Sequence, residues 1–214
     1  IGGFAVWRSV PAFGGGQSGA AQPIATLDAP DVHSLLIDPA NPDHVLFGSH
    51  AGIQESHDGG FTWQPGSLQG ADAMSLASSA KEPATLFVAG HDVFLVSRDG
   101  GKTWQPVAHD LPGTDIHAFA QDPADARRLY ALVVGAGVLT SADGGATWDP
   151  LPAQPPGVGG HGALATDGAF VYAATAEGLL RSSDGGATWE PTPAQPNGML
   201  ISLAIPSAAQ QTLY

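Results

Sequence analysis

Residues 97–104 read Ser97-Arg98-Asp99-Gly100-Gly101-Lys102-Thr103-Trp104, and the same Ser-x-Asp-Gly-Gly-x-Thr-Trp phrase spans Ser56–Trp63, Ser141–Trp148 and Ser182–Trp189. Its aspartates, Asp58, Asp99, Asp143 and Asp184, lie 41, 44 and 41 residues apart. A period of about 40 with strand-like text between copies marks a repeat architecture, each copy being one supersecondary unit. Locally the phrase is turn chemistry. Its glycines are free to take positive φ, and the carboxylate can accept backbone N–H groups inside the turn. Trp63, Trp104, Trp148 and Trp189 leave the turns as large apolar anchors. The phrase is therefore a structural staple before it is anything else.

Working outward, each repeat holds four short strands, A to D, cut by Gly, Pro and Asp. In the first repeat strand A is His33–Asp38, strand B His44–Gly48 and strand C Gly52–Ser56, with strand D starting at Thr62-Trp63. Short strands at this spacing predict an all-β propeller of four-stranded blades. The blades are expected at 33–69, 73–112, 116–156 and 161–197. Residues 199–214 supply only strands A and B of a fifth repeat. Residues 1–27 carry text like strands C (Gly3–Ser9) and D (Gln22–Leu27), with the Asp phrase lost. The expectation is one domain over 1–214, a five-bladed propeller whose last blade is completed by the N-terminal strands, which hides the sheet edges. The alternative is an excerpt of a longer propeller.

The chain of 214 residues has no cysteine, which removes disulfides and thiolate metal sites. Seven Lys+Arg against 20 Asp+Glu give a net charge of −13, which argues against nucleic acid and anionic membranes and favours cations. No apolar run reaches the length of a membrane span, so no membrane insertion is expected of this segment. The abrupt apolar opening Ile1-Gly-Gly-Phe-Ala-Val-Trp7 reads as the stub of a missing N-terminal anchor. The expected location is extracytoplasmic: periplasmic, cell-surface or secreted.

The repeated phrase resembles the Asp-box, or BNR, repeat of sialidases, sortilin-type receptors and photosystem II assembly factors, and the arrangement is most similar to small bacterial sialidase-like or glycosyl-hydrolase-like Asp-box proteins. The sialidase branch of that resemblance implies an arginine triad, a Tyr–Glu nucleophile pair and an acid Asp. Arg8, Arg98, Arg127, Arg128 and Arg181 do not begin inner strands in the repeat register, and Tyr130, Tyr172 and Tyr214 all fall in strand B. No pair of carboxyls is singled out for glycoside cleavage, so no catalytic residue is assigned.

Histidine carries the strongest chemical signal. His33, His117 and His161 open strand A in repeats one, three and four, the strand expected to line the channel. Met74 holds the same place in the second repeat and Met199 in the fifth, so the inner ring reads His, Met, His, His, Met. His50 and His91 align in the B–C turn on the same face, as an outer shell or further ligands. Imidazole and thioether together select copper, and thioether in particular Cu(I). Aspartates near that face (Asp31, Asp72, Asp92, Asp110, Asp115) would draw cations in. The leading expectation is a non-catalytic binding protein with a copper site, or a small-ligand site, at the channel mouth. The alternatives are a glycan-binding or glycoside-cleaving protein and a protein-interaction or assembly scaffold.

Overall fold

A computed structural model describes residues 3–6, 25–193, 195–196 and 202–205. Strands β1 (Gly3–Val6) and β2 (Ala25–Asp28) pair antiparallel, Gly3 opposite Asp28 and Val6 opposite Ala25. The four repeats follow as four antiparallel four-stranded sheets. The first is β3 (Ser34–Ile37), β4 (Val45–Ser49), β5 (Gly52–Ser56) and β6 (Gln64–Gln69). The second is β7 (Ser75–Ser79), β8 (Glu82–Gly90), β9 (Val93–Ser97) and β10 (Gln105–Pro106). The third is β11 (Ile116–Gln121), β12 (Leu129–Val133), β13 (Gly137–Ser141) and β14 (Asp149–Pro150). The fourth is β15 (Ala163–Thr166), β16 (Val171–Thr175), β17 (Gly178–Ser182) and β18 (Glu190–Pro191). Within each sheet the strands run across in chain order.

The sheets are the blades of a β-propeller. Their first strands lie side by side, β7 between β3 and β11, and β11 between β7 and β15. The apolar core sits between blades. Leu46, Ile53, Leu86 and Val88 fill the space between the first and second. Phe87, Phe94, Phe119, Leu129 and Trp148 fill the next gap, and Tyr130, Leu132, Leu164 and Val171 the one after. The second strands are the most deeply covered, β4 and β12 being buried at every position. A fully buried Leu or Val side chain contributes roughly 1.5–3 kcal/mol, so these inter-blade layers dominate the favourable side of folding. Leu27, just past the start of β2, packs with Phe47 and Trp63, which seats the N-terminal strand pair against the first blade.

Two boundaries differ from expectation. Fourth strands begin one residue after the tryptophan, at Gln64, Gln105, Asp149 and Glu190, not at Thr62-Trp63. The reason is that Thr62 and its counterparts donate their backbone N–H groups to the box carboxylate and are still inside the turn. Three of these outer strands are only two residues long, and side-chain amides extend two of them. Gln154 bonds the backbone of Val138 through both its oxygen and its nitrogen, and Gln195 does the same to Leu179. Of the expected fifth-repeat strands, residues 202–205 are described and are not in a strand. The rest, Met199 included, lies outside the described residues.

Candidate metal centre

In such sheets the turns joining first to second and third to fourth strands share one end, and the Asp boxes stand there. Each box folds on itself. Asp58 Oδ1 accepts from the Ser56 hydroxyl at 2.8 Å and from the Thr62 N–H at 2.8 Å, while its Oδ2 accepts from the Thr62 hydroxyl at 2.6 Å. Gly59 and Gly60 take φ of 73° and 92°, which a side chain would resist. Asp99, Asp143 and Asp184 repeat the pattern. The threonine hydroxyl, with the threonine N–H and the serine hydroxyl, holds the Asp58, Asp99 and Asp184 carboxyls down to about 2, and Asp143 lower still. Both oxygens of each box carboxylate are thus spent on its own turn.

The other end carries the histidines. Asp31 and His33 stand just before β3, Asp72 and the half-buried Met74 just before β7, and Asp115 just before β11, which contains His117. His50 occupies the β4–β5 turn and His91 the β8–β9 turn. His161 is exposed ahead of β15. A register break between Ile116 and Ala118 bends β11 at His117. An isolated bridge between His91 and Asp115 ties the second blade's turn to the third blade.

These side chains form a continuous row across four blades. Ring centroids are 4.2 Å apart for His33 and His50, 5.9 Å for His50 and His91, 4.9 Å for His91 and His117, and 5.1 Å for His117 and His161. Carboxylates punctuate the row. His91 Nε2, His117 Nε2 and Asp115 Oδ1 make a triangle with edges of 3.0, 3.4 and 2.9 Å. On its other ring nitrogen, His91 Nδ1 hydrogen-bonds Asp72 Oδ2, which also accepts the His91 backbone N–H at 3.2 Å. At the far end His50 Nδ1 lies 2.8 Å from both His33 Nε2 and Asp31 Oδ2, and His33 Nε2 is 3.5 Å from Asp31 Oδ1. Burial, then the neighbouring His50, pushes the His33 imidazole below its usual value. The hydrogen bond to Asp31 raises His50. Burial acts to raise Asp31, but the His50 backbone and side chain outweigh it and hold that carboxyl below its usual range.

Among the described residues, four buried side-chain polar atoms lack a hydrogen-bond partner, and three belong to this row: Asp72 Oδ1, Asp115 Oδ1 and His117 Nδ1. Asp115 Oδ1 is orphaned although two imidazole nitrogens lie beside it. The Nε2 atoms of His91 and His117 hydrogen-bond each other but meet Asp115 Oδ1 outside hydrogen-bonding geometry, so the three donors are close enough to share a cation. The structure thus brings His33 and His117 together with His50 and His91, the turn histidines taking central places. Clusters of imidazole and carboxylate that could hold a metal ion are present in this row. Asp31, Asp72 and Asp115 are the donors that the ring of His and Met omitted. Their signal was the Asp-x-His or Asp-x-Met spacing at the inner-strand starts of the first three blades, because residues two apart in extended chain point the same way.

Elsewhere the histidines are occupied. His44 is buried at the Asp-box end between Asp38 and Glu55, with its nitrogens 3.0 and 2.6 Å from their oxygens, and His57 stacks on it. His109 packs against Phe94 and accepts the Leu111 N–H. Arg181, in β17, pairs with Glu190 at 2.8 Å and covers Phe170. Arg98, Arg127 and Arg128 lie in turns at the Asp-box end, and Arg8 falls outside the described residues. Tyr130 and Tyr172 are buried in second strands, and Tyr214 is outside the described residues.

Residues 24–175 match the family described as photosynthesis system II assembly factor YCF48. The chain belongs to that family. Solved structures similar to this YCF48-family chain include YCF48 from Cyanidioschyzon merolae, at 18% identity and a TM-score of 0.56, covering 81% of this chain and 59% of that one. YCF48 bound to D1 peptide is 21% identical with a TM-score of 0.55, covering 80% and 56%. An ancestral GH74 enzyme is 19% identical with a TM-score of 0.57, covering 86% of this chain and 29% of that one. At these identities the likeness is one of fold alone, and the chain spans well under two thirds of each of these proteins. No curated protein matches the sequence.

Proposed function

We propose that this YCF48-family propeller is a non-catalytic binding module that takes a transition-metal ion on its histidine face. The observation that carries the reading is the triangle of His91 Nε2, His117 Nε2 and Asp115 Oδ1, with edges of 3.0, 3.4 and 2.9 Å. A tetrahedral ion with bonds of 2.0–2.2 Å needs donor separations of about 3.3–3.6 Å, so the three atoms need shift by only about half an ångström or less. Asp72 supports the site from behind. Its bond to His91 Nδ1 fixes the tautomer that leaves Nε2 with a free lone pair.

The converging donors are nitrogen and oxygen, so the expected ion moves from Cu(I) to a divalent one. Such sites bind Cu(II) most tightly in the first-row series, with Zn(II) behind it. His33, Met74, His161 and Met199 remain proposed as neighbours of the site. The reading keeps an extracytoplasmic location and a fifth blade completed by β1 and β2. Elemental analysis of the purified protein, followed by Cu(II) and Zn(II) titration of the stripped protein, tests it. Uptake below half an equivalent of either ion would end it.

Family membership over residues 24–175 favours a second reading, that of a peptide-binding assembly factor. A structure of YCF48 bound to D1 peptide exists in the same fold. Capture of extended peptides by the stripped and the metal-loaded protein separates the two readings, since a pure scaffold binds equally well in both states.

A further inference from the structure

We propose that the histidine row holds two metal ions at separate positions, each bound by two imidazoles and one carboxylate, with Asp72 between them. The inference rests on the metal-binding reading above and adds stoichiometry and placement to it. One position is the His91–His117–Asp115 triangle, which bridges the second and third blades. The other is Asp31, His33 and His50, all from the first blade, where His50 Nδ1 lies 2.8 Å from both His33 Nε2 and Asp31 Oδ2, and His33 Nε2 lies 3.5 Å from the other carboxylate oxygen, Oδ1. The two separations at His50 Nδ1 are shorter than a tetrahedral ion needs. They must open by roughly half an ångström or a little more for a metal to take the place of the hydrogen bonds that now join His50 to His33 and Asp31.

The middle histidines make two positions, and not one, the natural count. His50 offers Nδ1 to Asp31 and His33, while its Nε2 faces Asp72 Oδ2 at 4.0 Å. His91 offers Nε2 to His117 and Asp115, while its Nδ1 is held by Asp72. Their rings stack nearly parallel, 10° apart, so each imidazole serves the ion on its own side and turns its other nitrogen toward the same carboxylate. Charge supports the same arrangement. A divalent ion on one carboxylate and two neutral imidazoles keeps a net charge of +1, and two such centres repel. Asp72 is buried between them with Oδ1 unpartnered, and its negative charge offsets that repulsion where screening by water is weakest. His50 and His91 are both exposed on their outer side, which leaves ions a way in.

The test is a Cu(II) titration of the stripped full chain, counted by equilibrium dialysis and elemental analysis. Two equivalents are expected for the wild type, one for His33→Ala, one for His117→Ala and none for the double variant. Electron paramagnetic resonance of the wild type needs no variant: dipolar broadening should appear between one and two equivalents. A single equivalent, removed by His117→Ala and kept by His33→Ala, would overturn the second position while leaving the metal-binding reading intact. Loss of both ions in either single variant would overturn their separateness. Absence of uptake in the wild type would overturn both readings together.

Discussion

The Nε2 atoms of His91 and His117, carried by neighbouring blades, face each other at 3.0 Å. Two imidazole lone pairs do not rest at that distance unaided, so either a proton or a cation must lie between them. Asp72 constrains the choice by engaging His91 Nδ1, and Asp115 places a carboxylate oxygen beside both rings. A proton satisfies one of those contacts; a metal ion satisfies all three.

Metal should therefore stabilise the fold. Free Cu(II) or Zn(II) at about 100 times its dissociation constant adds about 2.7 kcal/mol, which for a chain of this size raises the melting temperature by about 5–10 °C. His117→Ala should lose the part of the rise that the ion between the second and third blades supplies, with the metal-free melting point little changed. Differential scanning calorimetry with and without metal measures both.

Gly90→Ala should disturb the centre from behind. A Cβ at Gly90 would lie 2.4 Å from the Asp72 carbonyl oxygen and 3.2 Å from its Cγ. Relieving that overlap costs about 1–3 kcal/mol and moves Asp72 away from His91. Loss of such an outer carboxylate contact typically weakens a metal site by about 10–100-fold. Competition with a chromophoric chelator reads the change, and unchanged affinity would show that Asp72 does not support the site.

The Asp boxes predict an acid-labile fold. Their carboxyls titrate below the ordinary 3.8, so the stability they lend is complete above about pH 4 and declines as pH falls through about 2. Ser97→Ala isolates one box at neutral pH. Ser97 is fully buried and its hydroxyl oxygen accepts the Gly101 N–H at 2.8 Å. Leaving that donor unmet should cost about 1–3 kcal/mol in urea unfolding.

His44 gives the opposite sign. Burial disfavours its charge, but hydrogen bonds to Asp38 and Glu55 more than compensate and raise its value above 6.5. Its contribution is complete below about pH 6.5 and is lost as pH rises through the higher folded value. His44→Ala should cost about 1–3 kcal/mol at pH 6, and the gap to wild type should narrow at pH 9. A gap that is constant with pH would mean that His44 acts by packing alone.

The four blades were legible because period, turn phrase and apolar runs all repeat in register, each a local signal. The histidine face was legible too, since the register alone puts His33, His50, His91, His117 and His161 at one end. Which of them cooperate was not. His50 and His91 looked peripheral in sequence, yet the short turns that carry them fold inward over the starts of β3, β7 and β11. Asp31, Asp72 and Asp115 went unassigned as ligands because an aspartate ahead of a strand also reads as ordinary turn chemistry.

The indole bonds of the boxes alternate. Trp104 Nε1 reaches back to Ser67 and Trp189 Nε1 to Ala153, fastening the second blade to the first and the fourth to the third. Trp148 Nε1 instead bonds Gly145 in its own box. Across the seam between the second and third blades, where no indole bond reaches, the Trp148 backbone N–H donates to Asp110 and the Ser79 hydroxyl to the Pro123 carbonyl, and His91 and His117 meet at the rim. An ion bound by that pair would tie the rims of two blades together, and its arrival should slow amide exchange in the turns that carry His91 and Asp115.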